Sequence, residues 1–477
     1  MSGSVKTTSS RKLAFNYVLL SGGEALSKVF AFLAFAYLAR LVGPDIFGDI
    51  EFALAVTMFF NLVVEGGLGL LGAREIAKDE KIIASLTFHI VIMRIVLALI
   101  AFLLLCLFVI LNNKSPQENQ IVILYGLTLF GTPGLLQWVF QGLDRMQWVA
   151  LSSIIRWSLF AVLVFLFITR PHHVLVVPVL ELVAVGIVVA FNFSIFRKSF
   201  GSFRQRFDIS LCKSLLSQAM PIGLSQVAWG LRAYLPTIML GLLVGGSAVG
   251  WFGAAQRIVV ALHTFVWMYF FNIYPSISRC TRQEPEAFQN LLGKSLKVTS
   301  WCAVFIGSAG TLFAEPLIQT VYGTQYDAAA KSFQVLVWYL SIILVSGHYM
   351  YALFAYNKQK LELASALCGS VFSFVLIIAL IHKYNFMGAA YAIVCVETLI
   401  WLLNYYFTRV NIAVVPFFSH LIKPLFAGLV MIVLVKLIPP LNIFLLGAIA
   451  CLLYGSGLLI LQPAVIKDFR ALISKDG

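Results

Sequence analysis

Runs of about 20 mostly apolar residues recur along almost the whole chain, and no other feature constrains the fold so tightly. A run of that length wound as a helix crosses the roughly 30 Å hydrocarbon core of a bilayer. Fourteen such runs are expected, at about 13–40, 47–73, 83–111, 120–141, 147–169, 173–196, 214–242, 248–278, 297–321, 332–356, 361–381, 386–408, 417–437 and 441–462. Of the 477 residues 61% are apolar and 11% charged. Mean hydropathy is +0.94. A soluble protein has about 45–50% apolar and about 25% charged residues, so this chain lacks the charges to cover a water-facing surface. A soluble enzyme, a secreted disulfide scaffold and a disordered protein are excluded. A β-barrel is excluded because its strands alternate in hydrophobicity and are far shorter. The expected fold is therefore an all-α polytopic membrane protein with about 14 transmembrane helices. The connections are short, and the longest, 197–213 (RKSFGSFRQRFDISLCK), reads as a basic link lying at the membrane surface.

Lys and Arg gather in cytoplasmic loops, so their distribution orients the chain. With a cytoplasmic N-terminus, 23 of the 34 fall on the inner side, from Lys6, Arg11 and Lys12 to Lys467, Arg470 and Lys475. Six fall outside: Arg40, Lys114, Arg170, Lys331, Lys383 and Lys436. Both termini are expected in the cytoplasm, with an even number of spans. A twelve-span reading that loses the final pair keeps the same orientation. The polar start MSGSVKTTSSRK does not read as a signal peptide, because the first apolar run is too long and has no small-residue cleavage site.

An internal repeat divides the chain. LVGPDIFG at 41–48 matches LVGGSAVG at 243–250, an offset of 202 that also pairs Glu24 with Gln226 and Arg11 with Lys213. A looser echo places QGLDRMQWVALSSIIRW at 141–157 opposite AYNKQKLELASALCGSV at 355–371. The expected organisation is a six-helix bundle at 1–196, a basic cytoplasmic linker at 197–213, a second six-helix bundle at 214–410, and an added helix pair with a tail at 411–477. Halves with an even number of spans enter the membrane from the same side. They form a parallel repeat able to rock around a central cavity, as alternating access requires. No filter loop or charged ring suggests a channel.

Five basic residues remain inside spans: Lys28, Arg94, Arg156, Arg232 and Arg257. A charge at the bilayer centre costs about 2.5–3.5 kcal/mol on insertion scales, so these residues should face protein or water. Glu24 and Lys28 are four apart and can pair on one helix face; alternatively, Lys28 is released to an anionic substrate. Ser225, Trp229 and Arg232 share a face. Arg232 could hold phosphate in its planar fork while Trp229 stacks on sugar, or it could bridge to Glu24 or Glu65. Arg156 has Glu181 as a ready partner. Glu24, Glu51 and Glu65 are candidate counter-ions or ion-coupling sites, and residue type alone does not separate those roles.

The seven cysteines form no CxxC pair and read as small core residues, neither disulfides nor metal ligands. His263 and His348 lie in spans and could hydrogen-bond across helices. Trp138, Tyr274, Tyr322, Tyr326 and Tyr356 sit near span ends, where amphipathic rings anchor. There is no P-loop, HExxH or GxSxG, so neither ATP-driven pumping nor hydrolysis has a motif. No catalytic residue, metal, cofactor or nucleic-acid partner is expected.

Four segments carry a resemblance. They are LARLVGPDIFGDIEFALAV at 38–56, EGGLGLLGAREIAKDE at 65–80, WVFQGLDRM at 138–146 followed by Arg156, and EPLIQTVYGTQYDAAAKSFQVLVW at 315–338. In this order they resemble the bacterial polysaccharide flippases, which transport O-antigen and exopolysaccharide repeat units. These belong to the superfamily of multidrug, oligosaccharidyl-lipid and polysaccharide exporters. The resemblance covers roughly 11–410. It implies two six-span bundles around a V-shaped cavity in the bacterial inner membrane. It also implies an undecaprenyl-pyrophosphate-linked oligosaccharide as cargo, moved from the cytoplasmic to the outer leaflet, with cavity cations holding pyrophosphate or acidic sugars. A polysaccharide polymerase and a chain-length regulator are the partners it suggests. The final helix pair resembles the lipid II flippase branch, where such a pair forms a groove for the lipid tail. A lipid II flippase is the first alternative. A cation-coupled multidrug exporter is a second, disfavoured by the prominence of basic residues. A polymerase or ligase would need a larger outside loop than any found here.

Overall fold

The computed structural model describes residues 10–112, 114–201, 205–281, 285–439 and 442–473. Lys6, Arg204, Arg282 and Lys475 lie outside the described residues, as do the side chains of Arg11, Lys12 and Arg470. The described residues form helices and turns with no strand. Residues 1–250 make one compact unit and 251–477 another.

The first unit contains α1 (Ser10–Glu65), α2 (Leu68–Lys78), α3 (Ile83–Leu111), α4 (Pro116–Gly126), α5 (Gln137–Gly142), α6 (Met146–Phe167), α7 (Val176–Phe200) and α8 (Ile209–Leu243). At 56 residues α1 would reach about 84 Å if straight, far beyond a bilayer. It breaks at Gly43, whose backbone (φ 77, ψ 170) leaves the helical region. A positive φ is open to glycine at little cost, and Pro44, lacking an N–H, is suited to restart a helix there. Two expected spans, 13–40 and 47–73, thus become two arms of one element. The first arm packs on α6, with Gly23 against Ala150 and the Phe35 ring 5.5 Å from Phe160. The second arm runs along α8, with Leu62 against Gly230 and Phe52 against Gly241. It also meets α3 and α4. Leu71, Ile90, Trp138, Phe140 and Phe196 form the core among α2, α3, α5 and α7.

The two copies of the repeated octapeptide lie against each other. A methyl group built on Gly48 would overlap the carbonyl oxygen of Gly246, and one built on Gly250 would overlap that of Pro44. At the offset of 202, Gly48 corresponds to Gly250 and Pro44 to Gly246. The contact is therefore reciprocal, as across a two-fold axis. Ser247 donates its hydroxyl to Asp45, its own counterpart 202 residues earlier.

The second unit begins within α9 (Gly246–Cys280) and continues through α10 (Pro285–Leu312), α11 (Ala314–Tyr322), α12 (Asp327–Ala355), α13 (Gln359–Tyr384) and α14 (Phe386–Asn411). It ends with α15 (Phe418–Leu437), α16 (Ile443–Leu461) and α17 (Ala464–Ile473). Helix α12 packs between α10 and α14, and α13 covers α14. The added pair docks on α10 through polar ties: Trp301 Nε1 donates to Gln462 Oε1 (3.0 Å), Tyr454 donates to the Trp301 carbonyl (2.9 Å), and Lys297 pairs with Asp468 (2.7 Å). Its outer surface stays apolar, with Phe444 84% and Ile460 78% exposed. That inverts a soluble surface and suits contact with acyl chains.

Eleven helices among the described residues are long and apolar enough to cross a membrane. The pair α10–α11, bent by 68° at its break, makes a twelfth span. The other two expected runs are the second arm of α1 and α8, a 35-residue helix diluted by Lys213, Gln218, Gln226 and Arg232. Each expected run thus falls on helical chain, two of them share α1, and the runs 120–141 and 297–321 are each broken into more than one helix. The surface link is shorter than expected, because α7 runs to Phe200 and α8 starts at Ile209.

Candidate substrate-binding site

The in-span charges sort by whether the protein already neutralises them. Glu24, on the first arm of α1, accepts from Ser153 Oγ of α6 at 2.8 Å, and Gln137 Nε2 supports Ser153 at 3.4 Å. The i, i+4 pair with Lys28 does not form. Lys28 is exposed and makes no hydrogen bond or ion pair with any described residue. Sequence spacing pointed to Lys28 as the partner; Ser153 is 129 residues away and could not be seen.

Arg94 on α3 is only 1% exposed and is paired with Glu65, at the end of α1. Its guanidinium lies 5.8 Å from the Trp138 ring. Gly69 leaves room for it, since a Cβ there would stand 2.5 Å from Arg94 Nη2. Arg94 Nε and Nη1 have no partner. Arg156 on α6 pairs with Glu181 on α7 at 2.8 Å and lies 5.0 Å from the Trp157 ring. Glu181 is 2% exposed, and its second oxygen is unpartnered.

Arg232 on α8 is half-buried and makes no hydrogen bond or ion pair with a described residue. Its Nε is buried without a partner, as is Gln226 Oε1 two turns earlier on the helix. The bridge from Arg232 to Glu24 or Glu65 does not form, because Ser153 and Arg94 engage those carboxylates. Trp229 is 53% exposed and meets Tyr234 edge-on at 6.0 Å. Ser225 bonds back to the Ile222 carbonyl at 2.9 Å, which takes up its hydroxyl. Glu51 is buried and Arg257, on α9, half-buried; both interact with neighbours. Just beyond the span, Glu75 accepts from Lys78 (2.8 Å) and Arg74 (2.9 Å), and these bonds hold its carboxyl below the usual range.

His348 bonds across helices to Ser295 at 2.7 Å, and His263 meets Tyr339 edge-on at 5.6 Å. The seven cysteines are free thiols, and no cluster of potential metal ligands occurs among the described residues.

Among the described in-span cations of the first unit, Lys28 and Arg232 lack an ion-pair partner, whereas Arg94 and Arg156 are each paired. Arginine offers a planar fork for two phosphate oxygens, and lysine a compact point charge. Either suits an anionic group.

The described residues form the all-helical bundle of a polytopic membrane protein, and solved structures share the fold. The chain is similar to the lipid II flippase MurJ in an inward closed conformation, with a TM-score of 0.77 at 14% identity, covering 94% of this chain and 100% of that one. It is also similar to an inward-facing multidrug resistance MATE family transporter of the MOP superfamily, with a TM-score of 0.67 at 13% identity, covering 81% and 94%. Residues 13–281 match the family described as polysaccharide biosynthesis protein, and the chain belongs to that family. Its relatives include a candidate O-antigen transporter of Escherichia coli (strain K12), 26% identical over 414 residues, covering 85% of this chain and 98% of the relative. Another is a candidate O-antigen transporter of Shigella dysenteriae, 23% identical over 401 residues, covering 81% and 97%.

Proposed function

We propose that the protein is a flippase that moves undecaprenyl-pyrophosphate-linked polysaccharide repeat units, of O-antigen or exopolysaccharide type, from the cytoplasmic to the outer leaflet of the bacterial inner membrane. The cycle is alternating access by the six-span halves 1–196 and 214–410, with both termini in the cytoplasm. The observation that carries this reading is the pair of uncompensated in-span cations, Lys28 and Arg232. A free charge within a span costs free energy that a bound anion would recover. Pyrophosphate is the anionic part of such a cargo. Arg94 and Arg156, each already paired, could reach the cargo only by exchanging a carboxylate for phosphate. Arg257 would add a cation from α9, and Trp229 an exposed ring for stacking on sugar. Glu24, Glu51 and Glu65 stand as counter-ions or ion-coupling groups.

The decisive experiment uses purified protein in vesicles with a labelled lipid-linked oligosaccharide. The label should reach the opposite leaflet with the protein and not without it. Folded protein that moves no label under any ion gradient would overturn the reading. The chain covers the whole of a lipid II flippase structure and has the added helix pair, and this favours a second reading that differs only in cargo. The lipid-linked species that accumulates when the protein is depleted separates the two.

A further inference from the structure

The described part of the stretch between α7 and α8 is fastened to α3 by an imidazole. His89, on the second turn of α3, is 1% exposed. The backbone N–H of Asp208 lies 2.9 Å from its Nε2. A backbone N–H can only donate, so Nε2 accepts. The Ser85 carbonyl lies 2.7 Å from Nδ1 and can only accept, so Nδ1 carries the hydrogen. The two partners leave one option, a neutral ring with its proton on Nδ1. Phe207 stacks on this ring (centroids 5.8 Å apart, planes at 22°), and Phe88 meets it edge-on at 5.4 Å.

Asp208 has a second task. Its Oδ1 accepts from the N–H groups of Ser210 (2.8 Å) and Leu211 (3.3 Å) and from the Ser210 hydroxyl (2.7 Å), which caps α8. Those bonds hold the Asp208 carboxyl below the usual range, with a smaller contribution from His89. Water can approach through an open cavity of about 690 Å³ lined by Ser85, His89, Gln205, Arg206, Asp208 and Leu211. Among the described residues, the charged groups that line the cavity with the ring are Asp208 and Arg206 from the link, and Cys212 of α8 interacts with Asp208.

We propose that this clasp is a proton-sensitive control: a proton taken up by His89 Nε2 releases the link from α3 and loosens the start of α8, the helix that carries Arg232. Hydronium gives one proton to Nε2 and is left as water; no other covalent bond forms or breaks, and the hydrogen bond from the Asp208 N–H is lost. The new N–H then points at the Asp208 N–H, and two donors cannot share a hydrogen bond. The Asp208 carboxylate, which interacts electrostatically with His89, is an acceptor the imidazolium can attract. Turning that carboxylate to the ring draws it away from the N–H groups it caps. Histidine is the side chain whose ordinary charge change falls between pH 5 and 8, and the clasp is closed on the alkaline side. It sits on the face proposed as cytoplasmic, so acidification of the cytoplasm is the signal it would read.

Hydrogen–deuterium exchange on the full chain in lipid nanodiscs tests this without any cargo, so the result is independent of the flippase reading. The segment to follow is 205–212, at about pH 7.5 and about pH 5.5, on either side of the imidazole range, with intrinsic exchange rates corrected. In the wild type, protection of the Asp208 amide should fall about five- to tenfold in acid, as expected for loss of one hydrogen bond. His89→Gln supplies an amide oxygen that accepts but does not titrate, so protection should persist at both pH values. His89→Phe keeps a ring for Phe207 but accepts nothing, so protection should be low at both. Unchanged wild-type protection, a comparison that needs no variant to fold, would overturn the proposal. An acid loss in His89→Gln equal to that of the wild type would overturn it as well.

Discussion

The two units keep different kinds of polar group within their spans. The first holds four of the five in-span cations, Lys28, Arg94, Arg156 and Arg232; the second holds Arg257. Beside the Lys297–Asp468 pair, the core of the second unit carries a neutral network. Tyr269 meets Ser295 at 2.6 Å, Ser295 meets His348 at 2.7 Å, and Tyr349 donates to the Val415 carbonyl at 3.1 Å. Neutral partners of this kind join helices in lipid without the cost of a buried ion. In the second unit these neutral bonds join helix to helix. In the first, Lys28 and Arg232 have no ion-pair partner among the described residues, and an anionic ligand would complement them. The contrast is the ground for proposing that anion binding centres on the first unit and that the second serves more as a scaffold.

Four experiments would break or sharpen that contrast. The largest effect is expected for Glu65→Ala, which strands the Arg94 guanidinium in the core. Removing one partner of a buried pair costs about 3–5 kcal/mol, and thermal unfolding of the purified protein should show it. A variant that replaces both Glu65 and Arg94 by apolar residues should recover much of that loss. Next come Arg232→Ala and Lys28→Ala. Each should slow transport about tenfold or more while unfolding stays near wild type, since a hydrogen bond to a charged group is worth about 1.5–3 kcal/mol. Arg232→Lys should fall between, because it keeps the charge and loses the fork. Normal transport by both alanine variants would remove the proposed role of the first unit. In the second unit, Ser295→Ala should leave His348 Nε2 short of its main partner, costing about 1–3 kcal/mol of stability. A transport defect there out of proportion to that loss would contradict a scaffolding role. The smallest effect belongs to Lys297→Ala, which breaks the partly buried pair that ties mid-α10 to Asp468 of α17. A loss of about 1 kcal/mol is expected by the same unfolding assay.

The spans were legible because an apolar run of fixed length is a local signal, set by bilayer thickness. The pairing of Arg156 with Glu181 could be weighed in advance, since both stand out as charges in apolar surroundings. The partner of Glu24 could not. Helical periodicity reports neighbours on the same helix, and a serine in a span of another helix gives no sign of being an acceptor's donor. The bond from Glu65 to Arg94 was hidden for the same reason, and so was the dual use of Asp208, which depends on where a link lands on α3. Gly69 had a faint signal, one glycine in a run of Gly and Leu, but its purpose appears only with the guanidinium beside it.

The reciprocal contact of the repeated octapeptides bears on how such a chain can evolve. If two identical polypeptides met as 41–48 meets 243–250, each would bring an aspartate to the axis, and acid would face acid. Here the counterpart of Asp45 is Ser247, and acid faces hydroxyl. Only a chain that holds both copies in one gene can vary one without the other. Fusion of a duplicated ancestor therefore allows a complementary seam that no homodimer of that ancestor could assemble.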